Sequence, residues 1–247
     1  MKFVAIIPAR FQSTRFPGKP LAILGEKPII QWVYENAQKA LDNVFVATDD
    51  ERIFKAVEAF GGKAVYTSSS HQSGTDRCAE AAEKVASMLN FDVVINIQGD
   101  EPFIRPEQIE KLKSCFDTPE TQIATLIKPI SNPEEIANIN RPKVVINQYQ
   151  EAMYFSRSPI PFVRDAVPEN WLARHIFFSH IGMYAYRADI LPNLTKLPVG
   201  ILEKAESLEQ LRWLENGYRI KTAQTNFENI GIDTPEDLEN AKKLLNC

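Results

Sequence analysis

The sequence predicts an α/β protein whose mostly parallel sheet carries helices on both faces. Two observations support this. Short β-branched and aliphatic runs recur at Phe3–Ile7, Val44–Thr48, Lys63–Thr67, Asp92–Ile97 and Gln122–Ile127. Longer amphipathic stretches separate them, and strand–helix–strand alternation of this kind is the pattern of βαβ units.

Pro28–Leu41 carries Ile29, Ile30, Val33, Tyr34 and Ala37 at helical spacing. Asp50–Phe60 repeats the idea with Ile53, Phe54, Val57 and Phe60, as do Thr75–Leu89 and Pro106–Phe116. Asp49-Asp50 precedes a helix, where a short carboxylate is expected to cap. Beyond residue 130 the pattern is less regular. Pro142–Gln148 and Ala152–Ser156 read as two strands, a candidate hairpin. Pro159–Arg174 holds three prolines and reads as a long loop, and Phe177–Arg187 reads as a long strand. Leu202–Glu215 reads as one helix, with Leu202, Ala205, Leu208, Leu211 and Leu214 near one face. The last helix is signalled by Thr234 as N-cap, Pro235 in the first turn and Asp237 three residues after the cap. The economical division is a single domain over residues 1–247. It has a core over 1–130, an inserted antiparallel lobe over 131–225 and a return to the core over 226–247.

The 247 residues are 44% hydrophobic and 24% charged, enough to bury a sizeable core. Lys+Arg number 28 against 32 for Asp+Glu, so there is no basic excess to argue for nucleic acid. The apolar run after Lys2 stops at Pro8, too short for a signal peptide, and no run approaches the roughly 20 residues of a membrane span. Cys78, Cys115 and Cys247 are an odd set without a C-x-x-C pair and suit a reducing cytoplasm. The three histidines are too dispersed for a zinc site.

Ligands of open α/β sheets bind beyond the carboxyl ends of the strands. Three polar, glycine-containing loops fall there: Pro8–Pro20, Ser68–Arg77 and Gln98–Pro102. The first sets Arg10, Arg15 and Lys19 around Ser13, Thr14 and Gly18. Arginine forks take phosphate oxygens two at a time and lysine adds a point charge. A bend at Pro17-Gly18 lets backbone N–H groups face an anion. On composition alone, an ordinary solvated loop fits equally well. Neither a Walker A loop nor a G-x-G-x-x-G pattern is present.

Asp100 ends a strand at Gln-Gly-Asp-Glu-Pro, and Asp233 precedes the last helix. Mg²⁺ takes one or two carboxylates plus phosphate oxygens; turn formation or helix capping is the competing use of each residue. His180 lies in a strand-like run with Gly182 and Tyr184, where a structural role is the simpler reading. For Glu206, Glu209 and Arg212 the simpler reading is a solvated helix face with ion pairs.

Taken together, the loops resemble the sugar-acid cytidylyltransferases. Ile-Pro-Ala-Arg-Phe-Gln-Ser-Thr-Arg-Phe-Pro-Gly-Lys-Pro-Leu (7–21) is similar to that family's signature. His-Gln-Ser-Gly-Thr-Asp-Arg (71–77), Asn-Ile-Gln-Gly-Asp-Glu-Pro (96–102) and Tyr-Phe-Ser-Arg (154–157) follow in the family's order. So do His-Ile-Gly-Met-Tyr-Ala-Tyr-Arg (180–187), Leu-Glu-Gln-Leu-Arg (208–212) and Gly-Ile-Asp-Thr-Pro-Glu-Asp-Leu (231–238). The resemblance spans essentially the whole chain. The first motif is shared with the sialic-acid enzymes, whereas the last four favour the branch acting on 3-deoxy-manno-octulosonate (Kdo). Two positions depart from the pattern: Asp76 stands where Glu is common, and Ser179 where a basic residue is frequent.

The resemblance implies a nucleotide-diphospho-sugar-transferase-like fold. A nucleotide-binding sheet would be joined to a smaller mixed α/β lobe that covers the sugar and helps form a homodimer. It implies that CTP and Kdo give CMP-Kdo and pyrophosphate, in the cytoplasm, for lipopolysaccharide biosynthesis. Sialic acid and 8-amino-Kdo are the alternative sugar acids, and neither nucleic acid nor membrane is an implied partner. Pro8, Ala9, Arg10, Ser13, Arg15 and Lys19 would hold the triphosphate. Gln72, Ser73, Gly74, Thr75 and Arg77 would line the cytosine and ribose. Lys19, Arg10, Arg15 and Asp100 would carry the chemistry, with Asp100 and Asp233 holding Mg²⁺. Gln98, Arg157, His180, Tyr184, Glu209 and Gln210 would face the sugar acid.

Overall fold

The structure, a computed structural model, describes residues 1–245; Cys247 lies outside them. In chain order the strands are β1 (Phe3–Pro8), β2 (Ile23–Leu24), β3 (Lys27–Pro28), β4 (Val44–Thr48), β5 (Ala64–Tyr66), β6 (Val93–Asn96), β7 (Ile123–Pro129), β8 (Lys143–Ile146), β9 (Ala152–Ser156), β10 (Phe178–Arg187) and β11 (Ile220–Gln224). The helices are α1 (Ile29–Gln38), α2 (Glu51–Ala59), α3 (Gly74–Ala86), α4 (Pro106–Ser114), α5 (Pro133–Ala137), α6 (Leu191–Leu194), α7 (Ile201–Glu206), α8 (Gln210–Glu215) and α9 (Pro235–Leu245).

The chain divides into two compact units. The first comprises Met1–Glu110, Ala185–Thr195 and the described part of Asn229–Cys247. Its strands run in the order β5-β4-β1-β6, all parallel, with Ile6 opposite Phe45 on one side and Asn96 on the other. Val4, Ala5, Ile6 and Ile7 are fully buried, as are Val44, Val46 and Ala47, because helices cover both faces of the sheet. Helix α1 buries Ile29, Ile30 and Val33, α2 buries Ile53 and Val57, and α3 buries Cys78, Ala81 and Val85. Each large aliphatic side chain so buried contributes about 1.5–3 kcal/mol.

Side chains set where these helices begin. The Asp50 carboxylate accepts the Arg52 N–H at 2.9 Å and caps α2. Ser73 and Asp76 form a reciprocal capping box at α3. Thr234 and Asp237 do the same at α9, as the sequence predicts.

The second unit comprises Lys111–Tyr184 and Lys196–Glu228. The run at 123–127, assigned to the core from sequence, falls here as part of β7. Strand β11 pairs with β7 in parallel, and β8 pairs antiparallel with both β9 and β10. The hairpin expected from 142–156 is therefore present as β8 and β9. A satellite core of Ile130, Ile136, Trp171 and Phe177 lies under the segment read as a loop, where Trp171 stacks on Phe177 at 5.8 Å. A short 3-10 turn over Pro168–Ala173 delivers Trp171 to it.

One expectation fails. Leu202–Glu215 is not one helix; it breaks into α7 and α8 at Ser207, whose φ of 52° and ψ of 48° are left-handed. The apolar stripe runs through the break, so periodicity conceals it. The cause is tertiary. The Glu206 carboxylate is taken by Ser156 Oγ at 2.6 Å and the Arg157 N–H at 2.9 Å, and the Arg157 side chain bonds the Glu206 carbonyl at 2.7 Å.

Candidate active site

In the first unit, a polar cavity of about 290 Å³ opens at the carboxyl ends of β1 and β6. Pro8, Ala9, Arg10, Ser13, Arg15 and Lys19 line one side; Gln72, Ser73, Gly74 and Arg77 line another; Gln98, Asp100 and Asp233 complete it. Three loops far apart in sequence meet here because parallel strands deliver them to one edge.

Two glycines permit the closeness. Gly18 has φ of 73°, and its N–H closes the loop on the Phe11 carbonyl at 2.8 Å. A Cβ there would lie 3.0 Å from the Phe11 ring, which is itself held beneath the Arg52 guanidinium at 3.2 Å. Gly99 is needed for space: a Cβ would lie 2.8 Å from the Pro8 carbonyl oxygen. A side chain at either position would push the cationic loop or the Asp100 loop outward.

The charges are organised around one ammonium. Lys19 Nζ donates to Asp100 Oδ2 at 2.5 Å and to Asp233 Oδ1 at 3.0 Å. Arg15 bonds the other oxygen of Asp233 at 2.9 Å. Burial acts to lower the Lys19 pKa, but pairing with Asp100 and then Asp233 outweighs it, and the net shift is upward. Asp233 is held in register because the Ile232 N–H donates to the Asp100 carbonyl at 2.9 Å. Beside them, burial and the Asp100 charge push the Glu101 carboxyl up to about 8, and it accepts a hydrogen bond from Asn229.

The structure brings together all the residues assigned to the nucleotide except Thr75, which is buried in the first turn of α3 and does not line the cavity. Arg77 is buried, tied to Thr67 Oγ1 at 2.6 Å and to Asp49 at 3.1 Å. Thr14, placed in the cationic loop from sequence but given no role, lines the cavity too, as do the unassigned Pro20, His71 and Gly99. His71 Nε2 bonds Glu80 of α3, a loop-to-helix contact that no sequence spacing signals. Burial works against ionising Glu80, but hydrogen bonds from Lys84, the Ser68 N–H and His71 bring its pKa down to about 2.

In the second unit, His180 and Tyr184 share one face of β10, with ring centroids 5.3 Å apart. The Tyr184 ring meets Trp213 edge-on at 5.2 Å, and burial, then the Glu209 charge, raises its pKa. Thr125 Oγ1 lies 3.0 Å from His180 Nε2, 2.9 Å from the Met183 carbonyl and 3.2 Å from the Ile181 carbonyl. A hydroxyl has one proton, and both carbonyls can only accept. Thr125 Oγ1 serves His180 Nε2 as donor or acceptor according to the ring's tautomer. Burial lowers the His180 pKa to about 3, so the ring is neutral.

Gln210, first in α8, is buried and its amide nitrogen has no protein acceptor. Arg212 clamps Glu203 through two bonds of 2.7 Å. The Arg157 guanidinium donates to the carbonyls of Glu206, Ile139 and Ser207. Gln98 belongs to the first unit and the other five residues assigned to the sugar belong to the second.

A cationic loop around a paired-carboxylate centre, at the carboxyl edge of a parallel sheet, defines a nucleotidyltransferase. The cytidylyltransferase family profile matches residues 4–230, and the chain belongs to that family. It is 59% identical over 248 residues to a 3-deoxy-manno-octulosonate cytidylyltransferase of Bacteroides thetaiotaomicron, covering 99% of this chain and 98% of that one. The enzyme of the same description from Phocaeicola vulgatus is also 59% identical, with the same coverage. The solved structure of a CMP:2-keto-3-deoxy-manno-octonic acid synthetase complexed with CTP superposes with a TM-score of 0.91 at 45% identity, covering 100% of this chain and 99% of that one.

Proposed function

We propose that this protein transfers the cytidylyl group of CTP to Kdo, releasing pyrophosphate. The observation that carries the reading is the Lys19–Asp100–Asp233 centre at the floor of the arginine-lined cavity. The relatives named for this reaction support it.

In this reading the anomeric hydroxyl of Kdo attacks the α-phosphorus of CTP and pyrophosphate leaves. Such a reaction asks the protein mainly to align the reactants and offset charge. Arg10, Ser13, Arg15 and Lys19 hold the triphosphate, and Lys19, Arg10 and Arg15 offset charge growing on the leaving pyrophosphate. Gln72, Ser73, Gly74 and Arg77 form the wall for cytosine and ribose.

The donor set fits Mg²⁺. Among the described residues no cluster of three His, Cys, Asp or Glu is present, but Mg²⁺ on a nucleotide needs only one or two carboxylates. Asp100 and Asp233 already converge on a single cation, the Lys19 ammonium. They would hold the metal, which supplies further charge neutralisation when bound.

Within the second unit, His180, Tyr184, Glu209 and Gln210 read the sugar. A neutral His180 carries one ring nitrogen that donates and one that accepts, and the Gln210 amide offers a donor, as a polyhydroxylated acid requires. A homodimer, a cytoplasmic location and a role in lipopolysaccharide biosynthesis belong to the same reading through the resemblance. No described helix is long and apolar enough to cross a membrane. Incubation with CTP, Kdo and Mg²⁺ should yield pyrophosphate and a phosphodiester signal of CMP-Kdo by ³¹P NMR. Absence of both from a folded sample removes the reading.

A further inference from the structure

A half-buried polar cluster in the second unit surrounds the elbow between α7 and α8. Lys143 is fully buried in β8, an unusual place for an ammonium, and donates to the carbonyls of Asn138 at 2.8 Å and Arg157 at 2.6 Å. Arg157 in turn sends its N–H to the Glu206 carboxylate and its guanidinium to the main chain of the elbow. Nε reaches the Glu206 carbonyl at 2.7 Å, and a terminal nitrogen reaches the Ser207 carbonyl at 3.3 Å. Another terminal nitrogen anchors it to the Ile139 carbonyl at 2.9 Å.

Ser207 holds a left-handed backbone that a serine seldom adopts. Three residues later comes Gln210, whose buried amide nitrogen lacks an acceptor. A buried donor is kept unpaired only if the surroundings hold it there, and it favours any ligand that supplies the acceptor.

We infer that Arg157 is a positioning residue: it holds the elbow at Glu206 and Ser207 and thereby presents Gln210, instead of contacting the sugar acid itself. A planar fork bonding several fixed carbonyls suits arginine, and a lysine cannot reproduce it. The inference rests on the proposed reading only in calling the ligand of Gln210 a sugar acid.

Two measurements on the full chain test it. Amide hydrogen exchange without substrates reads the elbow alone. Arg157→Lys should speed exchange at residues 206–211 at least tenfold and leave β1 and α3 unchanged; Glu206→Gln should act in the same direction. Steady-state kinetics reads the consequence. Arg157→Lys should raise KM for Kdo at least fivefold, with kcat and the CTP Kd within twofold of the parent. Asparagine tolerates the left-handed region better than serine. Adding Ser207→Asn to Arg157→Lys should therefore bring KM back to within threefold, while Ser207→Asn alone leaves it unchanged. Unaltered exchange in both Arg157→Lys and Glu206→Gln overturns the inference. So does exchange restored by Ser207→Asn with KM still raised, because Arg157 would then contact the sugar. If the parent protein does not turn over Kdo, the proposed function falls, and the exchange result still decides the elbow.

Discussion

Lys19 and Asp100 form an ion pair of 2.5 Å whose ammonium also lies 3.0 Å from Asp233. The two carboxylates, 133 positions apart in the chain, thus share one cation. Lys19→Met removes that cation and the donor proposed for the triphosphate. The loss of one electrostatic donor to a transition state is worth about 10²–10³ in rate. Pyrophosphate release should fall by that factor, with the circular-dichroism spectrum unchanged; near-normal release by the folded variant would exclude Lys19 from the chemistry.

Because Asp100 and Asp233 face one cation, Asp100→Asn and Asp233→Asn should each raise the Mg²⁺ concentration needed for half-maximal rate. Ligands of one ion act as a unit, so the double variant should lose far less than the sum of the two. A Mg²⁺ titration of the full cycle measures this. Additive losses would assign the two carboxylates separate tasks.

His180 and Gln210 belong to the second unit, whereas the nucleotide cavity belongs to the first. His180→Ala and Gln210→Ala should therefore raise KM for Kdo at least tenfold, the scale of about 1.4 kcal/mol. The CTP affinity measured by calorimetry should change by less than twofold. Loss of CTP affinity in step with sugar turnover would contradict the division of labour.

The burial of His180 makes stability depend on pH. Its folded pKa of about 3 lies below the ordinary 6.5, so the unfolded chain binds the extra proton. Its contribution is complete above pH 6.5 and is lost as the pH falls from 6.5 toward 3. The slope approaches about 1.4 kcal/mol per pH unit for one proton. Urea unfolding at several pH values should show a steeper acid limb for the parent than for His180→Gln. Parallel limbs would mean that His180 titrates alike in both states.

Much of this molecule is legible in its sequence because its signals are local. The runs at Phe3–Ile7 and Val44–Thr48 form strands where expected, and Thr234 with Asp237 marks the start of α9 as capping chemistry requires. The cationic loop was legible as a cluster of charge; its closure on Gly18 through Phe11 was not, because that depends on a ring packed from across the loop. The break at Ser207 was hidden by an apolar stripe that continues through it, and its partners, Ser156 and Arg157, lie some fifty residues away. Arg157 itself was assigned to the sugar through resemblance, and only the geometry shows its nitrogens on three carbonyls. Buried Lys143 left no trace, since one lysine at the start of a strand ordinarily signals an exposed edge.

The substrate pair is most directly tested by pyrophosphate release across CTP, UTP, ATP and GTP, each with Kdo, 8-amino-Kdo and sialic acid. CTP with Kdo should give the highest kcat/KM. A site that pairs particular base and sugar groups rejects analogues by up to about 10⁴, so the other nucleotides and sialic acid should trail by at least two orders of magnitude. Equal or faster release with another nucleotide, or with sialic acid, would contradict the assignment of this cavity to CTP or of the second unit to Kdo.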